Sequence, residues 1–258
     1  RSDRLKDLTS RARGEEMSGE GRFWRCPGCM GYTVPGAKRK GGGYRPKNCP
    51  HCDLELREGM VREVEAISND KGDPFLEPYV DGRVLNHRYE KLKAKWLRLD
   101  LEPIYPAFKH PSIYQSPKIL VRQAGVGITA TLSENDERCP QSVYIYRVLE
   151  DWRANGYDEA FVLACLVSRT MNWLLLKRFG EIDPARAHVK LTHQRLGNLP
   201  IPRISGEEAR RKANRISEKA KELVRCADKR VMLDFEIETE LRELWALSPE
   251  EGAYINGC

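Results

Sequence analysis

The segment Asp158–Gly180, "DEAFVLACLVSRTMNWLLLKRFG", decides how the rest of the chain is arranged. Asp158 offers an N-cap and Gly180 a stop, so the spacing predicts one helix. Its apolar residues fall on most faces, which places that helix in the middle of a core. Its longest apolar run, around Phe161–Val167, falls far short of the roughly 20 residues of a membrane span. A central helix needs layers on either side.

Upstream, Lys118–Gln123, "KILVRQ", reads as a buried strand, Ile128–Leu132 as a second, and Val143–Val148, "VYIYRV", as a third. Gly125-Val-Gly127 reads as a hairpin turn rather than a phosphate loop. Pro103, Pro106, Pro111 and Pro117 mark a surface loop, and Glu63–Pro78 a connector. Downstream, "LTHQRLGNLPIP" reads as an extended segment. Ser205 and Glu208 form a capping box that opens a helix. That helix carries Ala209, Ala213, Ile216, Ala220, Leu223 and Ala227, a seam of mostly small residues suited to a close helix neighbour. The tail reads as two short helices split at Ser248-Pro249. The expected class is α+β.

A different chemistry governs the N-terminal fifth. Cys26-x2-Cys29 and Cys49-x2-Cys52, separated by 19 residues, have the spacing of a four-thiolate zinc site. Pro27-Gly28 and Pro50-His51 supply turn chemistry to each pair. Four thiolates close a tetrahedron, so the metal would be structural, and His51 is not needed as a ligand. Cys139, Cys165, Cys226 and Cys258 are scattered, and Cys165 reads as core. The clamped loop carries Lys38, Arg39, Lys40, Arg45 and Lys47 and no acid, a footprint for a polyanion. Tyr32 and Tyr44 are placed to pack on the knuckles or on a backbone.

The whole chain has 258 residues and a formal net charge of +6, with 32% charged residues. No secretion signal is apparent, and a cytoplasmic location without membrane contact is expected. The organisation expected is a linker or helix from an upstream domain (1–20), a zinc ribbon (21–62), a mixed α/β main domain (75–203) and a helical C-terminal segment (204–258). No G-x-S-x-G, G-x-x-x-x-G-K-[ST] or H-E-x-x-H motif occurs. His51, His87, His110, His188 and His193 are isolated in sequence. The chain therefore reads as a binding module, with no catalytic residues of its own.

The ordered series "PYVDGRVLNHRY", "SPKILVRQAG", "SVYIYRV", "LVSRTMNWLLLKRFGE" and "HVKLTHQRLGNLPIP" resembles the target-recognition domain of bacterial adenine-specific DNA methyltransferases. These include the TaqI-like specificity domains of fused restriction–modification enzymes and phage-defence methyltransferases. The resemblance runs from about Phe75 to Ile255, with "ETELRELWALSPEE" similar to that group's tail. "LVSRTMNW" departs from the Leu-Asn-Ser-like helix start usual there. The Asn-Pro-Pro-Tyr-like and Gly-rich S-adenosylmethionine motifs of the catalytic domain are absent. The resemblance thus implies a reading head whose methyltransferase domain, and S-adenosylmethionine, belong to another domain or subunit.

Reading duplex DNA needs groups for phosphates and groups for base edges. The residues expected at phosphates are Lys38, Arg39, Lys40, Arg45 and Lys47 in the ribbon, with Arg88 and Lys118 in the body. At base edges, Arg122 can take guanine and Gln123 adenine, with Lys190, Thr192, His193 and Arg195 as further readers. Two other readings are an interaction module docking through the seam helix and a metal-dependent nuclease.

Overall fold

The computed structural model describes residues 2–17, 21–72, 74–85, 88–89, 92–93, 95–125, 127–179, 189–226 and 230–256; the side chains of Val84, Phe179, Val189, Lys190, Arg230 and Asn256 lie outside that description. Three short elements come first: β1 (Ser2–Arg4), α1 (Leu5–Leu8) and β2 (Thr9–Arg13). The ribbon follows as β3 (Arg22–Arg25), β4 (Tyr32–Thr33), β5 (Lys47–Asn48), β6 (Glu55–Leu56) and β7 (Arg62–Glu65). Next come β8 (Ile67–Ser68), β9 (Leu76–Tyr79), β10 (Lys95–Arg98) and β11 (Ile104–Tyr105). The body holds β12 (Lys118–Arg122), β13 (Ala124–Gly125), β14 (Ala130–Ser133), β15 (Val143–Val148), α2 (Glu150–Arg153), α3 (Glu159–Val167) and α4 (Arg169–Phe179). It closes with β16 (Val189–Lys190), α5 (His193–Gly197), β17 (Pro200–Pro202), α6 (Gly206–Arg225), α7 (Arg230–Leu244) and α8 (Pro249–Asn256). The class is α+β.

The central sheet has the order β14-β12-β15-β2 and is antiparallel throughout. Its two middle strands are apolar on both faces because both faces are covered. Ile119, Val121, Tyr144, Tyr146 and Val148 share a buried core with the helix α3. Leu120, Val143 and Ile145 face Val80, Leu85 and Tyr114 on the other side. Every residue of α3 is buried, which is why its sequence lacks a polar stripe. Asp158 caps it by accepting from Phe161 N at 2.8 Å. Among the described residues no single helix is long and apolar enough to cross a membrane.

Several expectations change here. The helix from Asp158 is two helices, bent by 57° at Ser168. Ser168 Oγ donates to Cys165 O at 2.8 Å and accepts from Met171 N at 3.0 Å, ending one helix and capping the next. A short hydroxyl side chain competes with the helical ladder in this way. The expected stop at Gly180 lies outside the described residues. The segment expected to be a linker from another domain is woven into the body: β1 pairs with β17 and β2 with β15, and Leu5 and Leu8 are fully buried. Ser205 makes no side-chain cap bond, and Gly206 takes φ +84°, a backbone turn that serves in place of the capping box. The connector 63–78 holds β7, β8 and most of β9.

The seam of α6 is already occupied. Ala213, Ile216, Ala220 and Leu223 are buried against α3 and α7, while Ala227 lies outside the described residues. Lys212–Glu243 (2.8 Å), Lys219–Glu236 (2.9 Å) and Arg215–Glu240 (3.2 Å) zip α6 to α7 as an antiparallel pair. The face that would dock a foreign helix is therefore spent on the chain's own core.

Candidate metal centre and nucleic-acid interface

The ribbon is built from two knuckles of the same design. Cys26 N donates to Gly31 O (2.8 Å) and Met30 N to Cys26 O (3.0 Å). In the second, Cys49 N donates to Leu54 O (2.8 Å) and Asp53 N to Cys49 O (2.9 Å). Met30 and Asp53, each just after the second cysteine of its pair, take the left-handed conformation at φ 63° and 61°. This turn aims two thiols at one point twice over. All four Sγ atoms lie within 4.8 Å of one another, with Cys26–Cys52 and Cys29–Cys49 at 3.6 Å. A zinc tetrahedron with Zn–S bonds of about 2.3 Å has S–S edges of about 3.8 Å, so the donor set fits.

The electrostatics agree with the geometry. At Cys26, burial pushes the thiol up, but the N–H groups of Cys29 and Gly28 outweigh it and bring it to about 7. At Cys52, the Leu54 N–H is outweighed by burial and the neighbouring thiols, which push it up to about 12. The Cys52 thiol, crowded by its neighbours, thus resists ionisation unless a cation sits among them. Beneath them Trp24 and Leu56 form a very small core with Cys26 and Cys49. His51 stays outside the thiol cluster, with Nε2 3.3 Å from Tyr32 O. Among the described residues, these four cysteines are the only group of three or more metal-ligating side chains so arranged.

The basic loop between the knuckles is an arm. Its ends meet at the Lys38–Tyr44 bridge, and Gly42 and Gly43 turn it with φ +93° and +69°. Lys38, Arg39, Lys40 and Arg45 are exposed on it. Tyr44 packs edge-on against Trp24 at 5.7 Å, with Lys38 over its ring. Lys47 points inward instead, donating to Thr33 Oγ1 (3.0 Å) and Val34 O (3.3 Å), and burial lowers its pKa. It braces the arm rather than extending the charged surface.

Two body residues expected at phosphates are spent on the fold. Lys118 is fully buried, bonded to Asn135 O and paired with Glu137 at 3.6 Å. Its place in a strand covered on both faces leaves it no route to solvent. Arg88 ties α3 to α7, donating to Val167 O (2.8 Å) and pairing with Asp234 (2.6 Å) and Glu238 (3.6 Å).

The expected base readers come together, from segments about 70 residues apart, at one end of the central sheet. β13 pairs with β16, and Leu191 N donates to Gln123 O at 2.8 Å. Arg122 is half-buried and donates to Leu85 O at 3.1 Å. Gln123 Nε2 is bonded to Tyr144 OH (2.8 Å), which donates to Leu191 O (3.0 Å). Within 191–202, expected to be extended throughout, residues 193–197 form the helix α5, capped by Thr192 Oγ1 accepting from Arg195 N at 3.1 Å. Gln123 and Thr192 therefore hold the end in shape, and Arg195 is presented by it, half-exposed. The side chain of Lys190, like His87 and His188, lies outside the described residues.

His193 stacks on Tyr144 with ring centroids 3.9 Å apart and bonds Tyr146 OH through Nδ1 at 3.1 Å. Burial, then Arg11 and Arg13, lower its pKa below the usual value. A histidine kept neutral in the fold but free to charge when unfolded contributes stability above the unfolded value of about 6.5. That contribution is lost as pH falls below about 6.5 towards the folded value. Urea midpoints of His193→Gln should therefore vary less with pH between about 7 and 5 than those of the parent. Equal slopes for the two proteins would refute the assignment.

Arg11 and Arg13 were missed by the sequence reading. The alternation in "TSRAR", Thr9–Arg13, is a strand signal that sits in a stretch otherwise polar and charged like a linker.

The mixed body thus carries a basic arm held between two cysteine knuckles. Residues 77–201 match the family described as the TaqI-like C-terminal specificity domain. Such a domain points to a DNA-recognition module of restriction–modification enzymes, and it is a specificity domain rather than a catalytic one. No curated protein matches the chain.

Proposed function

We propose that this chain reads a short sequence in double-stranded DNA and holds the duplex for methylation of adenine by a separate catalytic domain or subunit. The observation that carries the reading is the specificity-domain match over 77–201. The converging ends 122–125 and 189–195 fall inside that span. S-adenosylmethionine and the flipped adenine would belong to the catalytic partner, which has to extrude the base to reach it. Zinc in the four-thiolate site would hold the arm.

Roles follow from position. Lys38, Arg39, Lys40 and Arg45 on the exposed arm would meet phosphates, which supply affinity without sequence information. Arg122 and Arg195, at the end of the sheet, would reach base edges, while Gln123, Thr192 and His193 keep that end rigid. Lys47, Lys118 and Arg88 would act only through the fold.

The test is selection of bound duplexes from a random library by the zinc-loaded protein at two salt concentrations. Enrichment of one motif that persists at the higher salt supports the reading. Arg122→Ala should then relax one position, at a discrimination cost of about 1–3 kcal/mol. Retention without any motif would reduce the chain to a general DNA clamp and defeat the proposal.

A further inference from the structure

The edge strand of the central sheet carries a charged feature that the fold does not consume. Among the described residues no strand lies beyond β2. Arg11 and Arg13 are exposed on it, two residues apart and so on one face, about 6.8 Å from each other along the strand. Their register partners are Tyr146 and Tyr144, the two rings that carry His193. Gly14 N donates to Val143 O, so the N–H groups of Arg11 and Arg13 point away from β15, to the side on which Lys109 Nζ donates to Arg13 O at 3.0 Å.

Neither arginine has an ion pair with a carboxylate among the described residues. Arg13 donates to Gln141 O at 3.3 Å. Arg11 runs along α5, where a Cβ on Gly197 would lie 3.1 Å from its Nη1. No acid occurs in Thr9–Arg13 or anywhere from Val189 to Ile204. The concentration of positive charge is strong enough to lower the pKa of the half-buried His193 between them, after the effect of burial. Two unopposed guanidinium groups, with strand N–H donors behind them, match the chemistry of a phosphate diester backbone.

We propose that β2 is a phosphate-binding strand, in which Arg11 and Arg13, set by Tyr144, Tyr146 and His193, clamp the backbone of duplex DNA beside the base-reading end. The inference rests on the DNA-reading function above and extends it to the N-terminal strand, outside the matched span. A clamp here fixes the duplex against the sheet from the α5 side. It carries no sequence information itself.

The test compares the full zinc-loaded chain with Arg11→Ala/Arg13→Ala. Dissociation constants are measured over a range of salt on the selected motif and on a duplex of unrelated sequence. Each phosphate contact contributes about 0.9 to the slope of log K against log salt. The double variant should therefore lose about 1.8 of that slope on both duplexes, and weaken by about tenfold or more at low salt. The order of preference among motif variants should not change. Arg11→Lys/Arg13→Lys should keep most of the slope, and Arg211→Ala, an exposed arginine on α6, should keep all of it.

An unchanged slope in the double alanine variant overturns the clamp. The same holds if that variant merely self-associates in sedimentation, since the arginines would then only blunt a sheet edge. The two proposals fail separately. Motif enrichment with an unchanged slope removes the clamp and leaves the reading function, whereas no motif removes the reading function while the slope on the unrelated duplex still decides the clamp.

Discussion

Stripping the metal from the Cys26, Cys29, Cys49 and Cys52 site is expected to unfold the knuckles and arm, 26–56, while the central body keeps its cooperative transition. The physical reason is the size of the ribbon's core. Trp24, Leu56 and the two buried cysteines are nearly all it has beneath the knuckles, and β5 and β6 are two residues each. A structural zinc in such a module is worth about 10–16 kcal/mol of apparent binding energy, far more than so little apolar burial can replace. The large cluster around α3 contains none of the ribbon's residues, so its stability does not depend on the metal. The measurements are the metal content of the purified protein and tryptic cleavage at Lys38–Lys47 before and after chelation. Cys49→Ser should bind no metal and be cut as readily as the chelated parent. A ribbon that stays protected without metal would show that the thiols are only neighbours.

The second large effect is expected at Arg138. Its side chain is 4% exposed, and it pairs with Glu15 at 2.5 Å and Glu77 at 2.6 Å. It also donates to Lys109 O (2.9 Å) and lies over the Tyr114 ring at 5.1 Å. Glu15 follows β2, Glu77 lies in β9, and Lys109 precedes β12. One guanidinium thus joins the N-terminal strand, the small sheet beside the ribbon and the central sheet. Arg138→Ala would leave the Glu15 carboxylate, 1% exposed, buried without its cation, and should cost about 3–5 kcal/mol. Adding Glu15→Gln removes the stranded charge, so the double variant should be more stable than the sum of the single losses. Urea unfolding of the four proteins measures this. A loss below about 1 kcal/mol, or simple additivity, would refute the bridging role.

These two sites differ in how they were found. The thiolate clamp was legible because its chemistry is local: two short C-x2-C turns and a spacing that any four-thiolate site must satisfy. The three body strands and the buried helix were legible because apolar runs and their lengths are properties of short windows. The Arg138 junction left no such trace. Its partners are 123 and 61 residues away in sequence, and nothing about a lone arginine in "DERCP" announces burial.

Charges were the hardest residues to place. Lys118 and Arg122 flank the same apolar strand and look alike in sequence. Yet Lys118 is sealed under the loop that carries Asn135 and Glu137, and Arg122 stays half-exposed at the far end. Arg88 became a tie between helices because α7, about 150 residues later, brings Asp234 to it.

Composition and spacing alone determined the α+β class, the paired-cysteine knuckles and the basic arm, and the ordered motifs carried the likeness to a DNA-specificity domain. Those features depend on periodicities and turns within a few residues. The tertiary structure decided that the first residues complete the central sheet and that the seam of α6 is already filled. It also decided which cations stay exposed. Each of these depends on which distant segment arrives to pair, cover or neutralise a group, and that is set by packing of the whole chain.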